Sequence, residues 1–127
     1  MRAVKNRRVK STELALRARL VGAGIRGWRM YAKVLPGTPD FVFKANRVVV
    51  FVHGCFWHGC PRCYRRPHSS RRYWDAKVAH NRARDVRVEA KLRRRVWKVI
   101  RFWECDLNAE RAPRVMRRLR NALRARG

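Results

Sequence analysis

Four cysteines, a few acids and two histidines are the residues of this chain whose types and spacing could do chemistry. Three of the cysteines fall in one stretch, Cys55-x4-Cys60-x2-Cys63, and the fourth, Cys105, stands far downstream at the end of an apolar segment. A structural zinc ion asks for four soft ligands in a tetrahedron, and the close Cys60–Cys63 pair, Cys55 folding back and Cys105 tying in the loop would supply them. Four ordinary buried thiols are the alternative, and a close spacing within a loop fits that less well.

A second set is polar. Asp40 follows Pro39 at the start of an apolar segment, where a carboxylate at a strand end can hold Mg2+ through oxygen. His53 ends the next apolar run and His58 follows shortly after it; imidazole titrates near neutrality, so either can serve as a general base or simply sit at the surface. Asp85 and Asn81 lie on the apolar stripe of a long helical pattern. An acid there reads either as a salt-bridge partner of an arginine or as the group that orients a catalytic histidine. Glu13 shares the apolar side of the first helical pattern, where a first-turn acid favouring the helix dipole is the simpler account. Phe56 and Trp57 stand between Cys55 and His58, with Trp74 further on. Such rings either pack against their own loop or, on a basic surface, wedge between bases.

The elements that must position these residues follow from periodicity. A helix is predicted over 13–21, capped by Thr12 and stopped by Gly22-Ala-Gly24, with Leu16 and Leu20 on one face. A short strand is predicted over 28–31, then turn chemistry in Leu35-Pro-Gly-Thr-Pro39, then a hairpin of strands 40–43 and 47–52 joined by Lys44-Ala-Asn46. Val48–Val52 is apolar on both faces, as in a doubly covered central strand. Residues 54–70 read as irregular. A long helix is predicted over 71–95, capped by Ser70, with Trp74, Val78, Asn81, Asp85, Val88 and Leu92 on one stripe. A last strand over 96–104 and an amphipathic helix of about 111–125, entered at Pro113, complete the chain; Trp28, Trp97 and Trp103 fall in strands and are expected in the core. The order is that of a small mixed α/β domain, preceded by a flexible basic arm over 1–11.

Composition bounds the class of function. Among 127 residues, 34 Lys and Arg against 8 Asp and Glu give a formal charge of +26, while 46% hydrophobic residues suffice for one core. Such charge points to a polyanionic partner. The longest apolar run, Val48–Val52, is far too short to span a bilayer, and the start of the chain has charges without an apolar leader. A cytoplasmic protein is therefore expected, in which cysteines bind metal rather than pair as disulfides.

Several blocks in order, Leu35-Pro-Gly-Thr-Pro-Asp-Phe-Val42, Val50-Phe-Val-His-Gly-Cys-Phe-Trp-His58, Tyr73-Trp74, Lys77 through Asn81 to Arg84-Asp85, and Phe102-Trp-Glu-Cys105, closely resemble the very-short-patch repair mismatch endonucleases. The resemblance runs from about Glu13 to Leu107. It implies a restriction-endonuclease-like mixed central sheet flanked by helices, with a zinc-bound loop, and a single endonuclease domain over 12–127. The implied activity is nicking of one strand of duplex DNA 5′ of the thymine in a T·G mismatch that arises when 5-methylcytosine deaminates.

Position by position, the resemblance makes Asp40 and the backbone carbonyl of Val52 ligands of a catalytic Mg2+. It makes His58 the general base, and His53 a helper at the phosphate or at a water on the metal. It places Glu13 near the site, gives Asn81 and Asp85 supporting roles, and has Phe56, Trp57 and Trp74 insert beside the mismatch from the major-groove side. Cys55, Cys60, Cys63 and Cys105 would bind a structural Zn2+. Better-known members have a histidine where this chain has Cys60 and a loop one residue shorter before the next cysteine; an all-cysteine site serves zinc equally well. The Asp/Glu-x-Lys half of the usual nuclease motif is absent, with Val52-His53 in its place.

The expected partner is double-stranded DNA carrying a T·G mismatch, with functional links to a cytosine-5 DNA methyltransferase and to mismatch-repair proteins. The expected state is a monomer at the bacterial nucleoid. Two alternatives stand beside this reading: a strand-specific nickase of a homing or defence system that ignores mismatches, and a non-catalytic basic zinc protein that binds nucleic acid.

Overall fold

The segment Val48–His53 is buried at every position and forms an inner strand of a four-stranded sheet. The computed structural model describes residues 13–124, so the proposed arm over 1–11 and the Thr12 cap lie outside the described residues. Helix α1 covers 13–22, with Leu16 and Leu20 fully buried. Strands β1 (Trp28–Met30), β2 (Phe41–Phe43) and β3 (Val48–His53) run antiparallel in turn. A one-turn helix α2 (Cys55–His58) and the long α3 (Arg71–Arg94) then carry the chain back, and β4 (Lys98–Trp103) joins β3 in parallel. The sheet order is β1-β2-β3-β4. A short 3-10 helix, Glu104–Leu107, leads towards α4 (Ala112–Arg124).

Alternation along β3 sorts the core into two layers. Val48, Val50 and Val52 face α1 and α4, packing with Leu16, Leu20, Phe41, Phe102, Val115 and Leu119. Val49 and Phe51 face α3, where Leu92, Trp97 and Val88 cover them. The stripe of α3 from Trp74 to Leu92 is buried or half-buried throughout, and its other side is exposed arginine and lysine. A helix on each face is what a strand apolar on both sides demands.

The expected order of elements is present, with local differences. The stretch over 54–70, read as irregular, opens with α2, ended by Gly59 in a left-handed backbone (φ 65°). A Cβ at Gly59 would lie 2.8 Å from Cγ1 of Val78, so only glycine lets α2 approach α3 this closely. Cys105 sits in the 3-10 helix, one element beyond the strand it was expected to end. Ser70 precedes α3 but makes no side-chain cap, because its own backbone is left-handed (φ 55°) instead of the extended form a capping serine needs. Trp97 is buried just before β4 with the Arg47 guanidinium 4.1 Å above its ring, whereas Trp28 and Trp103 are only half-buried. Among the described residues no helix is long and apolar enough to cross a membrane.

Candidate active site and cysteine cluster

At the C-terminal end of β3 the two-residue period has a chemical result: Val52 turns into the α1 side and His53 into the α3 side. The Val52 backbone N–H donates to Oδ2 of Asp40 at 2.6 Å. The N–H and C=O of one strand residue project to the same side, so the Val52 carbonyl also faces the Asp40 edge. Asp40 is in turn hydrogen-bonded to Glu13, which is 3% exposed. Burial first, then the Glu13 carboxyl, pushes the Asp40 carboxyl well above the usual range against the pull of the Val52 N–H. A buried and a half-buried carboxyl pressed together beside a strand-end carbonyl make an all-oxygen donor set, which suits a hard divalent cation such as Mg2+. The phenol of Tyr31 donates to Oε2 of Glu13 and anchors this pair from the far side.

On the α3 side, Nδ1 of His58 lies 2.7 Å from Oδ2 of Asp85, and Nδ1 of His53 lies 3.7 Å from the same oxygen. The two imidazoles stack with centroids 4.0 Å apart and planes 7° from parallel. His53 is 7% exposed, and burial followed by the neighbouring His58 lowers its pKa to about 3, so its ring stays neutral. Asp85 is held below the usual carboxylate range: burial opposes this, but the hydrogen bond with His58 and the nearby imidazoles outweigh it. An ionised Asp85 fixes the proton of a neutral His58 on Nδ1 and leaves Nε2 as a free acceptor.

The position of His58 depends on how α2 is held. Asn81 donates from Nδ2 to the Trp57 carbonyl at 2.8 Å, and Arg82 donates to the carbonyls of His58 and Gly59. At the other end of α2, Oε1 of Glu104 accepts from the Cys55 N–H at 3.0 Å. The same turn presents the aromatic residues. Phe56, Trp57 and Trp74 form a mutual cluster with centroid separations of 5.1 to 5.7 Å, all half-buried.

The four cysteines are unpaired, and their sulfurs all lie within 4.8 Å of one another. The Cys60 and Cys105 sulfurs are 3.7 Å apart, matching the edge of about 3.8 Å in a tetrahedron with zinc–sulfur bonds of about 2.3 Å. Arg62 donates to the Cys105 sulfur at 3.2 Å. Burial raises the Cys105 thiol, but Arg62 and the neighbouring thiols bring it below its ordinary range, the thiolate character a metal ligand needs. The donor set fits zinc.

Asp40, Val52, His53, Trp57, His58, Asn81 and Asp85 line one cleft of about 230 Å³, and Glu13 is buried beneath Asp40. The cysteine cluster shares only Cys55 with the short helix α2 and lies outside the cleft. Sequence reasoning missed three contributors. Tyr31 holds Glu13 from a left-handed backbone (φ 56°) that no motif announces. Arg82 is one arginine among many. Glu104 lies inside the Phe102-Trp-Glu-Cys105 block, where an acid between a tryptophan and a metal ligand was the available signal.

Residues 1–65 match the family model described as DNA mismatch endonuclease Vsr. Among curated proteins, the type II nicking enzyme V.XorIIP of Xanthomonas oryzae pv. oryzae is 48% identical over 113 residues, covering 87% of this chain and 80% of that protein. The DNA mismatch endonuclease Vsr of Escherichia coli K12 is 38% identical over 109 residues, covering 84% of this chain and 68% of that protein. The type II nicking enzyme V.NmeAIP of Neisseria meningitidis is 36% identical over 118 residues, covering 87% and 83%.

Proposed function

This chain belongs to the Vsr family of DNA mismatch endonucleases and is a DNA-nicking hydrolase of that kind, from which we propose that it nicks one strand of duplex DNA 5′ of the thymine in a T·G mismatch. The observation that carries the reading is the 2.7 Å His58–Asp85 pair opening on the cleft that also holds Asp40. Asp85 keeps the His58 proton on Nδ1, so Nε2 takes the proton from the attacking water. His53, neutral and stacked on His58, limits the freedom of that ring and lines the phosphate side of the cleft. Asp40 and the Val52 carbonyl would hold Mg2+, with Glu13 behind them. When bound, Mg2+ supplies neutralisation of the charge that develops on the phosphate and on the leaving 3′ oxygen. Phe56, Trp57 and Trp74 enter the stack beside the mismatch, and Asn81 keeps the turn that carries two of them in register. Cys55, Cys60, Cys63 and Cys105 would hold Zn2+, which would pin the loop.

The same reading makes 12–127 a single endonuclease domain of the restriction-endonuclease-like kind. It expects a monomer at the bacterial nucleoid, linked functionally to a cytosine-5 methyltransferase and to mismatch-repair proteins. A heteroduplex labelled on one strand tests it. Zinc-loaded protein with Mg2+ should nick at the mismatched thymine, and Asp40→Ala and His58→Ala should each abolish cutting while binding persists. No nick at that thymine across a randomised flank would sink the proposal. The relatives named as type II nicking enzymes favour a second reading, a strand-specific nickase indifferent to mismatches, and equal nicking of matched duplex would select it.

A further inference from the structure

The ligand atoms of His53, His58 and Asp85 all lie within 4.8 Å of one another. Zinc–nitrogen and zinc–oxygen bonds of about 2.0–2.1 Å put tetrahedral ligands about 3.3 Å apart. The two nitrogen-to-Oδ2 distances here, 2.7 and 3.7 Å, bracket that value. His53 supplies a second sign. Its Nδ1 is buried and has no hydrogen-bond partner among the described residues, and an orphaned buried nitrogen is a group that a bound ion satisfies. Two imidazoles and one carboxylate also differ in kind from the oxygen set of Asp40 and Val52. Nitrogen donors select borderline transition metals over Mg2+. The stacked rings must rotate about their Cβ–Cγ bonds to aim both lone pairs at one point, and the open cleft of about 230 Å³ gives His58 room to do so.

We propose that His53, His58 and Asp85 form a reversible inhibitory site for a transition-metal ion such as Zn2+. The ion takes the Nδ1 lone pair of His58 and the Asp85 carboxylate; the ring proton moves from Nδ1 to Nε2 through solvent, so His58 stays neutral and Nε2 can no longer accept a proton from water. The binding part stands on the geometry; the inhibitory part rests on the role proposed above for His58.

Co2+ added to zinc-loaded protein in Mg2+ buffer tests the site directly. The expected result is one equivalent of Co2+ with weak visible bands and no intense thiolate charge-transfer band, which separates this site from the cysteine cluster. His53→Phe, which keeps a stacked ring, and Asp85→Asn should each weaken binding by about tenfold or more. Circular dichroism identifies a variant that fails to fold, in which case the other decides. Thiolate bands alone, or equal binding by folded variants, would overturn the site. Zn2+ should then slow nicking at constant Mg2+, half-maximally at the concentration that displaces Co2+; Co2+ binding without inhibition by Zn2+ would overturn the inhibitory role. A protein that nicks no duplex before Zn2+ is added counts against the catalytic reading and leaves the Co2+ titration to decide the site.

Discussion

At the residue scale, Tyr31 is the least expected member of the site. A non-glycine residue in the left-handed region is held there at about 1–3 kcal/mol, and its surroundings must over-determine it. Here the phenol reaches Glu13, and Glu13 reaches Asp40. Tyr31→Phe keeps the ring and removes the donor. We expect divalent-cation affinity, read by Mn2+ titration without DNA, to fall about tenfold while helix content is retained. Unchanged affinity would mean that Glu13 holds its place without the phenol. The contact also has a pH signature. The hydrogen bond with Glu13, then burial, pushes the Tyr31 phenol from 10.0 up to about 12. A raised acid favours the fold while it stays protonated, so this contribution is full below about pH 10 and is lost as pH rises through about 12. In a metal-free ultraviolet titration, Tyr31→Phe should remove a tyrosine step near pH 12.

At the element scale, α2 decides the site, because one turn carries His58, Phe56, Trp57 and Cys55. Gly59→Ala would force a side chain onto Val78 and Arg82 from a left-handed backbone. We expect a loss of about 1–3 kcal/mol in thermal or denaturant unfolding, with nicking reduced at a temperature where the variant is still folded. Removing zinc should loosen the stretch over 54–70 before the sheet, seen as early hydrogen exchange there; simultaneous loss of the sheet would contradict this. What could be read in the sequence divides along the same line. The β2–β3 hairpin and the stripe of α3 are legible because period and burial agree over many residues. Asp85 stands out as an acid on an apolar stripe, and its nearness to His58 is the kind of pairing such an acid invites. The turn α2 is not legible, since four residues hold no period and its capping comes from Glu104, Asn81 and Arg82, all distant in sequence. Ser70 misleads because residue type suggests a cap where the backbone forbids one.

At the scale of the whole molecule, the formal charge of +26 is distributed against a small number of acids. Glu13, Asp40 and Asp85 are gathered at the site, and the far side of α3 is left basic. On the function proposed above, phosphate contacts would supply affinity without sequence information, and the aromatic cluster would supply discrimination. Affinity for duplex should fall steeply with added salt, with T·G preference falling much less; a parallel loss of both in a binding titration would contradict that division. The alternation of β3 has a further consequence. Sliding β3 by one position against β2 and β4 would turn Val52 towards the cleft and drive His53 into the apolar layer under α1 and α4. The misfolded packing and the miswired site would be one and the same error. The hydrophobic core therefore proofreads the proposed catalytic centre, and a chain that has buried its valines correctly has, by that act, already aimed its histidine.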